Sequence, residues 1–422
     1  NRKKTHFFFS LSLHIFQTEG DTIVAQWPGY PGLTAVAEAV GATVVPWFPR
    51  WEEEEEGGKG GGKEGGGKGG GGGGLDAPAP PPAAAALAPR FDVEEDLVAA
   101  LDRAAALVRD PKRTTTTTTT ATTATTTTTT APTTGKRPAA LRLAVLNFPQ
   151  NPTGCSLRSA SELRRALELC VEKGTCHVLS DEMYRGLQLK EEEEEEGGQL
   201  PTAAGLVSSL SSMSSSASSF EPFANIENRK KIISLGGLSK WGGAPGLRIG
   251  WLVTGDRELL GRMSSLRDHT TICNSSLSES LAARVLAQPA TAERLRARAR
   301  GIVKQNLRVV AEDFFQRRNR DFFEFYSPRA STTCLPRLRE ESVGMGVEEF
   351  ARRAREEAGV LLLPASTFGG IESASSSSSP SPSVPRWMEG RFRLGLGRKD
   401  LPEALAALDA LTEKMRREQR KG

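Results

Sequence analysis

Five side chains in this sequence stand, by their neighbours, where a reaction can use them. Asn147-Phe-Pro-Gln-Asn-Pro-Thr-Gly154 follows the apolar run Leu143–Leu146. Asn-Pro and Thr-Gly are turn dipeptides, so Asn151 belongs on a sharp turn at a strand's carboxyl end, its amide free to donate into a cleft. Taken alone, the segment reads equally as a plain turn. Cys176–Ser180 runs into Ser180-Asp-Glu-Met-Tyr184 and puts Asp181 at a second carboxyl end. A carboxylate is costly there unless a cation meets it, although a lone aspartate is by default a helix N-cap. Lys231–Ser234 leads into Gly236-Gly-Leu-Ser-Lys-Trp-Gly-Gly-Ala-Pro-Gly-Leu-Arg-Ile-Gly-Trp251. Small residues around Lys240 and Arg248 let backbone approach a ligand closely. A lysine partly desolvated beside another cation has a lowered pKa, and its amine then forms imines. The alternative for this segment is a glycine-rich surface turn with two solvated cations. What weighs against three separate bland accounts is the set: Asn, Asp, Tyr, Lys and Arg each follow a predicted strand.

The elements that must position them are short. Thr22–Ala25, Ala42–Val45, Leu143–Leu146, His177–Leu179, Lys231–Ser234 and Ile249–Val253 are apolar runs bounded by turn signals and read as buried strands. Leu33–Val40, Val93–Val108, Ala160–Lys173 and Leu277–Leu286 read as helices. That alternation predicts an α/β domain with a three-layer, largely parallel sheet whose ligand site lies beyond the strands' carboxyl ends. From Thr291 a long charged helix runs to about Arg317, followed by strands Phe322–Tyr326, Val360–Leu363 and Phe392–Leu396 and a closing helix Leu401–Arg420. This predicts a smaller C-terminal α+β domain. The expected organisation is a non-native or mispredicted leader over 1–19, a large domain over 20–290 and a small domain over 291–422.

Four low-complexity runs interrupt this plan: 52–90, 113–134, 190–222 and 372–386. Poly-Glu/Gly, poly-Thr, Glu/Ser and Ser/Pro tracts bury too little apolar surface to offset ordering entropy and are expected to be disordered. The run 57–74 holds 14 of the 43 glycines, so overall glycine content says little about the fold. Lys+Arg 55 against Asp+Glu 51 leaves +4, with no basic stripe for nucleic acid. The five cysteines form no C-x-x-C pair, which suits a reducing compartment and no metal site. Phe7–Phe16 is too short and too interrupted to span a bilayer. A cytoplasmic location is expected, with organellar targeting left open because a targeting peptide would precede residue 1.

The ordered series Asn151-Pro-Thr-Gly, Asp181-x-x-Tyr184, Ser239-Lys240 and Gly246-x-Arg248-x-Gly250, then Phe392-Arg393-Leu394, resembles the class I/II aminotransferases, pyridoxal-phosphate enzymes of fold type I. The likeness runs from about Gly20 to the C-terminus, interrupted by the inserts, and makes 20–290 the cofactor-binding domain. It implies that Lys240 holds pyridoxal 5'-phosphate as an aldimine and then moves the substrate α-proton. It implies that Asp181 pairs with the pyridine nitrogen and that Asn151 and Tyr184 hydrogen-bond the ring's phenolic oxygen. Arg248 and Ser239 would take the phosphate, Arg393 the substrate α-carboxylate with Asn151 beside it, and Tyr30, in Gln26-Trp-Pro-Gly-Tyr-Pro-Gly32, would stack on the ring, leaving Trp27 to packing.

Two positions depart from the family. Gly237 replaces a serine common three residues before the lysine, and Gly20 matches a point well inside the large domain. The family's N-terminal arm and its glycine-rich phosphate loop have no counterpart here. The resemblance implies amino-group transfer between an amino acid and a 2-oxo acid and, for a complete version, a homodimer. A lyase, decarboxylase or cyclising enzyme of the same fold and an inactive truncated remnant are the alternatives. Arg267–Ser276 is a candidate source of substrate contacts through Asn274, with a loop and helix cap as the plainer account.

Overall fold

The computed structural model describes residues 20–53, 87–109, 139–174, 176–189, 200–212, 222–368 and 386–420. In chain order the first eight strands are β1 (Thr22–Gln26), β2 (Thr43–Trp47), β3 (Arg50–Glu53), β4 (Leu87–Arg90), β5 (Leu141–Asn147), β6 (His177–Asp181), β7 (Ile232–Gly237) and β8 (Gly250–Thr254). Six of them form one sheet in the order β2-β1-β5-β6-β7-β8. β2, β1, β5, β6 and β7 run parallel, and β8 closes the row antiparallel to β7. All six expected strands are present, each within two residues of its expected start.

Their apolar character has a direct cause. Successive side chains on a strand point to opposite faces. Ile23, Ala25, Leu143, Val145, Leu179 and Ile233 pack into one core with Leu33, Ala37, Leu259 and Met263. Val24, Ala144, Leu146 and Val178 pack into another with Leu97, Leu101, Leu163, Ala166 and Leu167. Both faces are therefore covered, which makes the three-layer arrangement predicted for a parallel sheet. Helix Ala160–Glu172 starts where Ser159 accepts from the Glu162 N–H at 3.2 Å and the Glu162 carboxylate accepts from the Arg158 N–H at 2.7 Å.

A further core gathers Phe314, Phe315, Phe322, Phe323, Phe350 and Phe392 with the closing helix Leu401–Gln419 through Leu405, Leu408 and Met415. Here the elements are shorter than expected. The predicted strand Phe322–Tyr326 is ladder-paired only over Phe323–Glu324, and Val360–Leu363 yields Leu363–Pro364. The aromatic packing holds these segments without long ladders. The predicted helix to Arg317 is α-helical over Pro289–Gln305 and continues as wider π-helical turns, Asn306–Ala311 and Asp313–Arg318.

Two of the runs expected to be disordered are ordered in part. Within 52–90, Glu52 and Glu53 pair with Ala88 and Leu87 in the β3–β4 hairpin, anchored by the Trp51 ring 5.4 Å from Tyr326 and 5.5 Å from Trp387. Within 190–222, Ala203–Ser212 is a helix with Ala203 and Val207 buried. Its first N–H groups are taken by other parts of the chain: Ala203 donates to the Glu182 carboxylate at 2.7 Å and Ala204 to the Ser234 hydroxyl at 2.9 Å. Composition masked both, because the anchoring partners are remote in sequence. The run 113–134, the run 372–386 except its last residue, and the leader 1–19 lie outside the described residues. No helix among the described residues is long and apolar enough to cross a membrane.

Candidate active site

The sheet register itself assembles the first part of the site. Asn147 pairs with Asp181 across β5 and β6, and Asp181 with Leu235 across β6 and β7. The carboxyl ends of three parallel strands thus lie side by side, with the polar Asn147 and Asp181 at two of them, where a ligand site is expected for this sheet class. Asn147 Nδ2 donates to the Asp181 carbonyl at 3.1 Å, while Asn147 Oδ1 accepts from the Asn151 N–H at 2.9 Å. The turn bearing Asn151 is thereby hung from the strand end bearing Asp181.

Gly154 closes that turn with φ of +75°. A Cβ there would strike Pro328 and lie 2.7 Å from the Thr333 carbonyl, so only glycine lets the segment around 328–333 cross. The same crossing brings the Tyr326 hydroxyl to the Thr153 carbonyl, to which it donates at 2.7 Å.

Asp181 is buried, and one of its oxygens accepts from the Met183 N–H at 3.0 Å. Burial pushes its carboxyl up to about 7, with the neighbouring Glu182 charge adding to the rise and the Met183 N–H and Lys240 opposing it. Tyr184, in the turn after β6, is buried, and Lys240 Nζ stands 5.1 Å from its ring centroid. Lys240 itself is exposed. Ser239, half-buried, precedes it in the bend after β7.

Gly237, at the departure from the family's serine, has no room to spare. A Cβ there would lie 3.0 Å from the Ile249 carbonyl and from Met183 Cε. Arg248 follows the short turn Pro245–Leu247 in the left-handed region, with φ of 58°, and is exposed, its Nη1 donating to the Pro245 carbonyl. Gly243, before that turn, and Gly246, within it, have open space where a Cβ would be.

Arg393 arrives from the other core. Phe392 and Leu394 are buried in the phenylalanine cluster, so strand alternation turns Arg393 to the opposite side. There its Nη1 reaches Asn151 Oδ1 at 3.5 Å, and its guanidinium lies 5.0 Å from the Phe368 ring centroid. Burial lowers its pKa, opposed by the Tyr184 and Tyr30 hydroxyls. Tyr30 completes the set: burial raises its pKa first, Tyr184 and Asp181 raise it further, and Arg393 and Arg248 oppose them. One phenol is thus within electrostatic reach of four of the expected site residues.

Trp27 lies apart from Tyr30, packed against Phe48 at 5.4 Å and Trp387 at 6.0 Å. Asn274 stays local, its Nδ2 donating to Glu279 at 2.8 Å beside the N-cap Ser275 of helix Ser276–Leu286. The plainer account of that loop therefore describes it.

The residues missed in sequence are the buried amides Gln26, Asn147 and Gln150. Their signal was available only as polar residues inside or just after apolar runs. Among the described residues no group of three His, Cys, Asp or Glu side chains gathers as a metal site.

The donor set fits a phosphorylated pyridine aldehyde. A buried carboxyl with a raised pKa calls for a cation, an exposed amine lies within its electrostatic reach, and the Arg248 and Arg393 guanidinium groups act on the neighbouring Tyr30. The profile of the aminotransferase class I and II family matches residues 121–405. An aspartate aminotransferase of Geobacillus stearothermophilus is 25% identical over 231 residues, 54% of this chain and 50% of that protein. Capreomycidine synthase of Streptomyces vinaceus is 27% identical over 230 residues, 54% of this chain and 49% of that protein. The chain thus spans about half the length of these curated relatives. Cystalysin of Treponema denticola, a crystal structure containing pyridoxal 5'-phosphate, shares the fold at TM-score 0.62 and 12% identity, over 97% of this chain and 75% of that one.

Proposed function

This chain belongs to the class I and II aminotransferases, and from that premise we propose that it is a pyridoxal-phosphate-dependent transaminase moving an amino group between an amino acid and a 2-oxo acid. The observation that carries the proposal is the buried Asp181 carboxyl with Lys240, Tyr184 and Tyr30 around it, and Arg393 reaching the Asn151 side chain from the second core. The family supports transamination over lyase, decarboxylase or cyclising chemistry.

When bound, the cofactor draws electrons from the substrate α-carbon and makes its proton acidic. Lys240 Nζ is the base that takes that proton and returns it. Asp181 would hold the ring nitrogen in its protonated form, a cation that would relieve the cost of burying the carboxylate. Asn151 and Tyr184 would donate to the ring's phenolic oxygen, and Tyr30 would lie against the ring. Arg248 takes the phosphate with Ser239, whose hydroxyl makes no hydrogen bond among the described residues. Arg393 binds the α-carboxylate, a planar anion that suits its fork. A second copy of the chain completes the assembly, through a face on which Ile272, Leu277 and Leu281 are exposed at 69%, 84% and 52%. Sedimentation of a Leu277→Glu/Leu281→Glu variant tests this, a dimer becoming monomer; an unchanged dimer rejects that face.

The deciding experiment is the visible absorption of the folded chain mixed with pyridoxal phosphate, with Lys240→Ala alongside. A protein-bound band in the parent and none in the variant is the expected result. No band in folded parent protein, or the same band in both, overturns the assignment. A 2-oxo acid appearing from an amino acid only when an amino acceptor is supplied then identifies transamination.

A further inference from the structure

Three buried amide side chains sit at or just beyond the carboxyl ends of β1 and β5: Gln26, Asn147 and Gln150. Gln26 Oε1 accepts from the Asn147 N–H at 2.5 Å, and Asn147 ties the Asn151 turn to the end of β6. These two reinforce strands that the sheet ladder already holds together. Gln150 does something the ladder does not. It has no exposed surface, its Nε2 donates to the Pro28 carbonyl at 2.5 Å, and its Oε1 accepts from the Thr153 N–H at 2.9 Å and the Thr153 hydroxyl at 2.5 Å.

Pro28 lies two residues before Tyr30, and Thr153 two residues after Asn151. One side chain therefore fastens the loop bearing Tyr30 to the turn bearing Asn151, across 122 positions of sequence. Its chemistry is specific. The partner on one side is a carbonyl that only accepts, and on the other an N–H that only donates, which fixes the amide's orientation. Glutamine supplies a donor and a two-lone-pair acceptor at opposite corners of one planar group. An ionised carboxylate has no donor for Pro28, and an aliphatic chain has neither function.

We propose that Gln150 is a positioning residue that sets the separation between Tyr30 and Asn151, and through them between the face and the edge of the bound ring. The strap is a statement about the chain alone; its effect on the ring rests on the function proposed above. Loss of the strap leaves the Pro28 carbonyl and the Thr153 donors buried without partners, so both segments must open to water.

The test compares the parent with Gln150→Met and Gln150→Glu in two measurements. Hydrogen exchange of the ligand-free chain is read over residues 29–34 and 151–155, with the core around Phe392 as internal control. Gln150→Met is expected to exchange at least tenfold faster in both segments and at the parental rate in the control. Gln150→Glu is expected to be protected at low pH, where the carboxylic acid donates to Pro28 and accepts from Thr153. As the acid ionises, residues 29–34 lose protection while 151–155 keep theirs. A side chain that merely fills space predicts no such pH dependence.

In the second measurement, the pH midpoint of the visible band formed with pyridoxal phosphate shifts in Gln150→Met and, in Gln150→Glu, departs from the parent only where the acid is ionised. Parental exchange over 29–34 in Gln150→Met, or pH-independent behaviour of Gln150→Glu, overturns the strap. A folded parent that forms no band overturns the proposed function instead, and the exchange comparison still decides the strap.

Discussion

The two sides of the site are built on different terms. On one side, Tyr30, Asn151 and Asp181 sit on segments whose hydrogen bonds reach far along the chain: Gln150 to Pro28, Tyr326 to Thr153, Gln26 to Asn147. On the other, the turn from Ser239 to Arg248 bonds mainly to itself, Gly243 N–H to the Lys240 carbonyl at 3.0 Å, Leu247 N–H to that of Ala244 at 3.2 Å and Arg248 to that of Pro245. Lys240 and Arg248 are exposed, whereas Asn151 and Asp181 are buried. The difference teaches how the site divides its work. The held side defines a shape before any ligand arrives, and the open side carries the cations that an anionic, aldehyde-bearing ligand would gather.

That division makes substitution effects unequal, and the largest belongs to Asp181. Its folded pKa of about 7 lies above the ordinary value of 3.8, so its contribution to stability is full below about pH 4 and is lost as pH rises through 7. The ligand-free parent should therefore lose up to about 4 kcal/mol relative to Asp181→Asn between pH 4 and pH 8. Urea unfolding at a series of pH values reads this directly, and parallel curves for the two proteins would refute it. Gly154→Ala comes next, at about 3 kcal/mol, because it combines positive φ with contact against the crossing segment 328–333. A urea midpoint within experimental error of the parent would mean that the turn relaxes freely.

Tyr326→Phe removes one buried hydroxyl and leaves the Thr153 carbonyl unpaired, for a loss of about 1–2 kcal/mol by the same measurement. Lys240→Ala, on the open side, should change stability by less than about 0.5 kcal/mol even though it abolishes the visible band. A large loss of stability there would erase the contrast between the two sides.

The sheet was legible because the buried strands of a largely parallel sheet must be apolar, and the short runs that formed it met that condition, the antiparallel edge strand β8 being the most exposed of them. The site motifs were legible for a related reason: turn dipeptides and small residues mark where backbone bends at strand ends. Gln150 was on view in the same segment as Asn151, yet nothing local distinguishes a buried glutamine from an exposed one. The helix Ala203–Ser212 and the β3–β4 hairpin were hidden for the same cause, since their stabilising partners, Glu182 and Ser234 for one and Tyr326 and Trp387 for the other, come from distant positions.

By itself the sequence determined the α/β class, the order of the strands along the chain and the residues proposed here for the site, because periodicity and residue type are local properties. Tertiary structure alone decided that Asp181 is buried deeply enough for its carboxyl to reach about 7, and that Arg393 crosses from the phenylalanine core to meet Asn151. It also decided which loops Gln150 joins. Desolvation and hydrogen-bond partnership depend on what packs around a group, and those neighbours here lie up to 242 residues away.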